Sequence, residues 1–189
     1  LSTALPHVDL EDYFCSMPAT QRKAHFFAQL RHAMFCEAGD KYYLNATTDL
    51  LLETDFLDRL KEETPSPERL AVEVTDLYRL VHLDDTQSRT LRTCIATLHR
   101  WGIEVWADDV CEDILPDLLA SQIRFCGVKI DKHTFWGGRT EREKFLQLTR
   151  QCKRLASKVL IEGIETAGDF ALARSSAADY GQGYLWGRP

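Results

Sequence analysis

Long hydrophobic runs are missing from this sequence. Its purely apolar stretches last only a few residues, far short of the roughly 20 that span a bilayer, and no signal-peptide pattern opens it. Basic clusters are missing too. Lys and Arg total 23 against 29 Asp and Glu, a formal net charge of −6, and basic residues never stand together beyond pairs such as Arg22-Lys23. A general binder of DNA or RNA would carry a basic face, so a nucleic-acid polymer is not expected as a partner. A phosphorylated ligand stays open, because a divalent metal can supply the positive charge. Paired metal-site cysteines are also lacking. The six present (Cys15, Cys36, Cys94, Cys111, Cys126, Cys152) show no C-x-x-C pair and no zinc-like spacing to His. Free thiols of a cytoplasmic protein are the expectation. No Met opens the chain, so Leu1 is read as lying inside a longer protein.

What is present is ordinary globular composition: 189 residues, 44% apolar and 28% charged, which fits a single domain over 1–189 with a sizeable core. Short apolar or β-branched runs fall at 41–44, 70–74, 103–107, 125–130, 158–161 and around 180–185. Between them lie segments of helical period. Leu91, Cys94, Ile95, Leu98 and Trp101 share one face, as do Phe145, Leu148, Cys152 and Leu155; 21–35 and 49–60 read the same way. The stretches 64–68 and 136–138 read as loops from their Pro and Gly.

Strands alternating with helices imply α/β architecture and a parallel sheet. Two arrangements fit, and the polar residues choose between them. Asn45, Glu73, Asp108-Asp109, Lys129, Glu162 and Gln182 fall in or at the end of six different strand runs. A TIM barrel gathers reactive groups at that edge from many strands. An open doubly wound sheet would concentrate its site at one switch point, usually with a Gly-rich first turn, which is absent. A TIM-barrel variant with its first strand outside this chain is therefore expected.

A carboxylate inside an apolar strand, as Glu73 is in Ala71-Val-Glu-Val-Thr75, is costly unless paired or metal-bound. It pairs with Lys129 across the barrel, or it ligates. Asp108-Asp109 cap the next helix, or turn together toward one or two ions at a frayed strand end. Taken together, the acidic ring with one Lys, one Asn and one Gln offers hard oxygen ligands. Those suit Mg²⁺ or Mn²⁺, and a two-metal site with a lysine suits in-line attack on a phosphodiester. Trp136-Gly-Gly-Arg139 is either a base-contacting loop or a loop anchor.

Ala71-Val-Glu-Val-Thr-Asp76, Asp108-Asp109, Val128-Lys-Ile-Asp131, Ile161-Glu-Gly-Ile-Glu-Thr166 and Gly181-Gln-Gly-Tyr-Leu-Trp-Gly-Arg-Pro189 resemble, in order, the successive motifs of EAL domains, from about Val8 onward. The resemblance implies a cyclic di-GMP phosphodiesterase giving linear pGpG. It makes Asn45, Glu73, Asp108, Asp109 and Glu162 ligands of two Mg²⁺ or Mn²⁺ ions. It makes Lys129 the residue that orients or activates the attacking water, Glu165 a brace for the segment after Asp109, and Gln182 a ligand contact. It also implies dimer contact through the helix after Asp109, around 114–119. Two departures bear on activity. The Glu-Ala-Leu signature is not in this chain. The family's Asp-Asp-Phe-Gly-Thr-Gly loop reads Asp108-Asp-Val-Cys-Glu-Asp113, so Cys111 and Asp113 are expected to be strained in glycine conformations. Asp76 stands one methylene short of the usual Glu. Two readings follow: a phosphodiesterase attenuated by that loop, or a catalytically silent relative that binds cyclic di-GMP or a regulatory protein partner.

Overall fold

The structure, a computed structural model, describes residues 17–35 and 41–187. Cys15, Cys36, the front of the resemblance at 8–16 and the closing Arg188-Pro189 lie outside the described residues. Six strands form one parallel sheet in sequential order: β1 Tyr42–Ala46, β2 Leu70–Val74, β3 Glu104–Val110, β4 Phe125–Ile130, β5 Ala156–Ile161 and β6 Tyr180–Gly181. The sheet curls into a half-barrel of the TIM type, open between β1 and β6 among the described residues. The expected barrel variant is the fold observed.

Strand parity explains the curl's two faces. Leu44 and Ala46, Val72 and Val74, Val105 and Ala107, Val128 and Ile130, Val159 and Ile161 alternate along their strands and are all buried. They turn outward beneath the helices. Helix α1 (Ala19–Phe35) sends Phe26 and Phe27 against Phe56 at ring separations of 5.7 and 6.1 Å. Asp84 opens α4 (Asp85–Arg100) with a capping box completed by Gln87, and Leu91, Cys94, Ile95 and Leu98 are buried along it. Arg142–Leu155 forms a helix that buries Phe145, Leu148, Cys152 and Leu155. Each such Leu or Phe contributes about 1.5–3 kcal/mol when taken from water. The opposite, inner face carries polar and aromatic groups. There Gly127 makes room for Trp106: a Cβ added to it would lie 2.2 Å from the indole ring.

Four expectations need correction. The segment 49–60 is two helices, α2 (Thr48–Leu51) and α3 (Phe56–Glu63). Thr54 and Asp55 favour a turn over a helix interior, and Glu53 and Asp55 are drawn to Lys23 on α1. Strand β3 does not end at Ala107 but continues to Val110 through a register shift between those two residues. Trp136 and Gly137 belong to a short helix, Lys132–Gly137, which Asp131 starts by accepting from Thr134 N. Strand β6 stops at Gly181, and Tyr184–Trp186 forms a 3-10 turn instead of more strand. Of the helix after Asp109, α5 (Leu115–Ala120), the apolar side chains Leu115 and Leu118, with Ile114 before them, are buried within the fold, leaving Pro116 and Asp117 outward. No helix among the described residues is long and apolar enough to cross a membrane, and Cys94, Cys111, Cys126 and Cys152 are free thiols.

Candidate functional site

At the carboxyl edge of the inner face, Lys129 Nζ sits among three carboxylates. Glu162 Oε1 lies at 2.8 Å, Asp108 Oδ1 at 2.9 Å and Glu73 Oε1 at 3.3 Å. The residues come from four neighbouring strands or their tips, so parallel pairing alone brings them together. Gln182 Nε2 adds a hydrogen bond to Glu162 Oε1 at 2.6 Å. Asn45 stands in register with Glu73 on β1, with its side chain exposed. The pairing of Glu73 with Lys129, one of its two sequence readings, is present.

Adjacent strand residues normally face opposite ways, yet Asp109 joins the group. The register shift in β3 is the reason. A bulge re-aims side chains, and Asp109 sits in it at φ 51°, the left-handed region that Asp enters more readily than most residues. Carboxylate oxygens of Asp108, Asp109 and Glu162 thereby come within 4.8 Å of one another. The strain expected at Cys111 and Asp113 is absent, since neither has positive φ; the chain puts it on Asp109 instead. Cys111 Sγ meets the Tyr78 hydroxyl at 3.1 Å.

Partial desolvation beside its neighbours, joined by the charges of Asp108, Glu162 and Asp131, pushes the carboxyl of the surface-exposed Asp109 up to about 6. Burial also raises Glu73, although Lys129 pulls the other way. For Lys129 burial opposes the charge, but Asp108 and Glu162 outweigh it and hold the amine well above its usual range. Lys129 is thus an ammonium, able to donate hydrogen bonds and offset negative charge.

The donor set fits a divalent cation. Asp108 Oδ1 is fully buried with Lys129 Nζ beside it at 2.9 Å. One ammonium among Glu73, Asp108, Asp109 and Glu162 leaves the group short of positive charge, and the oxygens of Asp108, Asp109 and Glu162 within 4.8 Å of one another are hard donors of the kind such a cation takes. Two surface hollows, of about 210 and 460 Å³, flank Gly138 and share no residue with this cluster.

Other expected residues stand apart. Glu165 is exposed and tied by its backbone N–H to Asp169 Oδ2 at 3.2 Å; among the described residues its carboxylate does not join the segment after Asp109. Asp76 accepts from Thr48 N at 2.6 Å and Thr48 Oγ1 at 2.7 Å, so the shorter acid fastens the start of α2. Trp136 proves an anchor, its indole N–H donating to Gly163 O at 2.8 Å.

A lower layer of the inner face escaped the sequence reading. Glu104 accepts from Lys41 at 2.5 Å, Lys158 at 2.9 Å and Trp106 Nε1 at 2.9 Å. Partial burial raises its carboxyl, but these donors prevail and pull it down to about 2. A folded-state value below the ordinary 4.5 means stability that is full above that pH and lost as pH falls toward 2. Urea midpoints of wild type and Glu104→Gln should therefore differ at neutral pH and converge across that acid window. A constant gap would show that Glu104 contributes through packing alone.

The EAL domain family model matches residues 19–189. No curated relative matches the chain by sequence. Among solved structures, the chain is similar to an EAL domain protein from Listeria monocytogenes EGD-e, at 20% identity and TM-score 0.71, covering 96% of this chain and 74% of that one. It is similar to Klebsiella pneumoniae BlrP1 in a manganese and cyclic di-GMP complex, at 21% and 0.72, covering 94% and 47%. It is also similar to the EAL enzyme Bd1971 in a cAMP-bound form, at 17% and 0.70, covering 95% and 52%. At these identities the likeness concerns the fold, and the chain spans about half the length of the latter two.

Proposed function

This chain belongs to the EAL domain family, and from that membership we propose that it is a metal-dependent phosphodiesterase that opens cyclic di-GMP to linear pGpG. The observation that carries the reading is the convergence of Glu73, Asp108 and Glu162 on one lysine, with Asp109 bringing a further carboxylate within 4.8 Å of those of Asp108 and Glu162. Asn45 and those four acids would hold two Mg²⁺ or Mn²⁺ ions. When bound, such ions supply Lewis-acid charge and acidify water.

The chain's own groups would do the rest. One water adds to phosphorus and one P–O ester bond breaks, leaving a 5′-phosphate and a 3′-hydroxyl. Lys129, an ammonium, would orient the water and offset charge gathering on the phosphoryl oxygens. Gln182, already bonded to Glu162, would present its amide to the ligand at the same rim. The family's cyclic di-GMP chemistry and the cyclic di-GMP complex of the similar BlrP1 support this choice of substrate.

The second reading, a silent binder of cyclic di-GMP or of a protein partner, draws on one feature. Val110-Cys-Glu-Asp113 replaces the family's glycine-bearing loop, and Tyr78 clasps Cys111 within it. Incubation with cyclic di-GMP and Mn²⁺, followed by chromatography, decides between them. Linear product is expected, and tight binding without product would leave the silent reading standing.

A further inference from the structure

Glu162 stands just beyond β5, at the head of the irregular stretch 162–166; the sheet holds the peptide before it, through Ile130 and Gln182. The peptides after it take their partners from further contacts. Glu162 N donates to Ile130 O at 3.1 Å, Ile164 N donates to Gln182 O at 3.1 Å, and Ile164 O accepts from Leu185 N at 3.0 Å. The carbonyl between them, Gly163 O, is taken by Trp136 Nε1 at 2.8 Å. Gly163 has φ +78°, and a Cβ there would lie 2.7 Å from Lys132 Cβ, so the stretch lies directly on the short helix that follows β4. Arg139 completes the attachment. Its guanidinium lies 5.3 Å from the Trp136 ring and grips Asp169 with two bonds of 2.8 and 2.9 Å. Asp169 in turn accepts from the N–H groups of Glu165 and Thr166. The helix that leaves Lys129's strand thus holds the Glu162 stretch at Gly163, and the turn after that helix holds it at 165–166 through Asp169.

We propose that Trp136 is a positioning residue that sets Glu162 against Lys129, with the Arg139–Asp169 grip as its second fastening. The proposal rests on the phosphodiesterase reading for its consequence, metal binding, but not for its geometry. A group that orients a ligand through one bond typically changes metal affinity by about 10–100-fold when lost.

Trp136→Phe keeps the ring and deletes the donor. In the metal-free chain, amide hydrogen exchange at 163–166 should rise while β5 stays protected. Mn²⁺ affinity by calorimetry should fall about tenfold, with little change in urea midpoint. Arg139→Gln, at a half-exposed position, should do the same more weakly and guards against a folding defect in the first variant. A purely structural Trp136 would lower the midpoint and leave Mn²⁺ affinity alone, which overturns the proposal, as does unchanged exchange. If wild type binds no Mn²⁺, the phosphodiesterase reading fails, and exchange at 163–166 still decides whether Trp136 fixes the stretch.

Discussion

Lys129→Met is expected to cut cyclic di-GMP turnover by about 10²–10⁴-fold, the range for loss of a positioned group that assists proton or charge movement. It should also destabilise the metal-free protein by about 3–5 kcal/mol, as removal of one partner from a buried ionic group does. The two effects share an origin. Glu73, Asp108 and Glu162 all lie within 3.3 Å of the same ammonium, and methionine keeps the volume while removing the charge. The carboxylates then face one another in a site with little water. Mn²⁺ should restore most of the lost stability without restoring turnover, because the ion can neutralise the acids but cannot replace the amine toward substrate. Urea denaturation with and without Mn²⁺ checks the first effect. Product formation in the variant at wild-type rate would remove Lys129 from the mechanism.

Glu162→Gln is the complementary experiment, since it takes away charge without shape. We expect Mn²⁺ affinity to fall by about a hundredfold or more, beyond the cost of losing an outer supporting group, and product to become undetectable. Stability should change little. Glu162 is partly exposed, and the replacing amide oxygen can still accept from Lys129 and Gln182. Calorimetry and product analysis on the same sample decide the matter; retained Mn²⁺ affinity would mean that cations are held without β5. The contrast with Lys129→Met is diagnostic, because both variants should lose turnover, the first together with stability and the second together with ion binding.

Much of this was legible in the sequence because parallel strands obey a simple parity. Once Glu73, Asp108, Lys129 and Glu162 fall at equivalent ends of successive strands, pairing in order places them side by side. The same parity, followed two and four residues back, leads to Trp106, Glu104 and Lys158, so that layer could have been read from alternation alone. The bulge at Asp109 could not. Its cause is a register shift against β4 that depends on both strands, and no local residue announces it. Trp136 was hidden for a similar reason, since its partner carbonyl is 27 residues away. The break at 52–55 reflects tertiary attraction to Lys23, which outweighs the apolar periodicity of 49–60.

The division between an oily outside and a charged inside of the curl has a consequence for how such a chain can change over generations. Cohesion comes from the outward aliphatic rows and the helices over them, whereas the buried ions are net liabilities: swapping a whole such group for aliphatics of like size is often neutral or favourable to folding. A descendant with no further use for the chemistry could therefore discard positions 73, 108, 129 and 162 as a set and keep its shape intact. Inheritance of the architecture and inheritance of the reaction are separable in this scaffold.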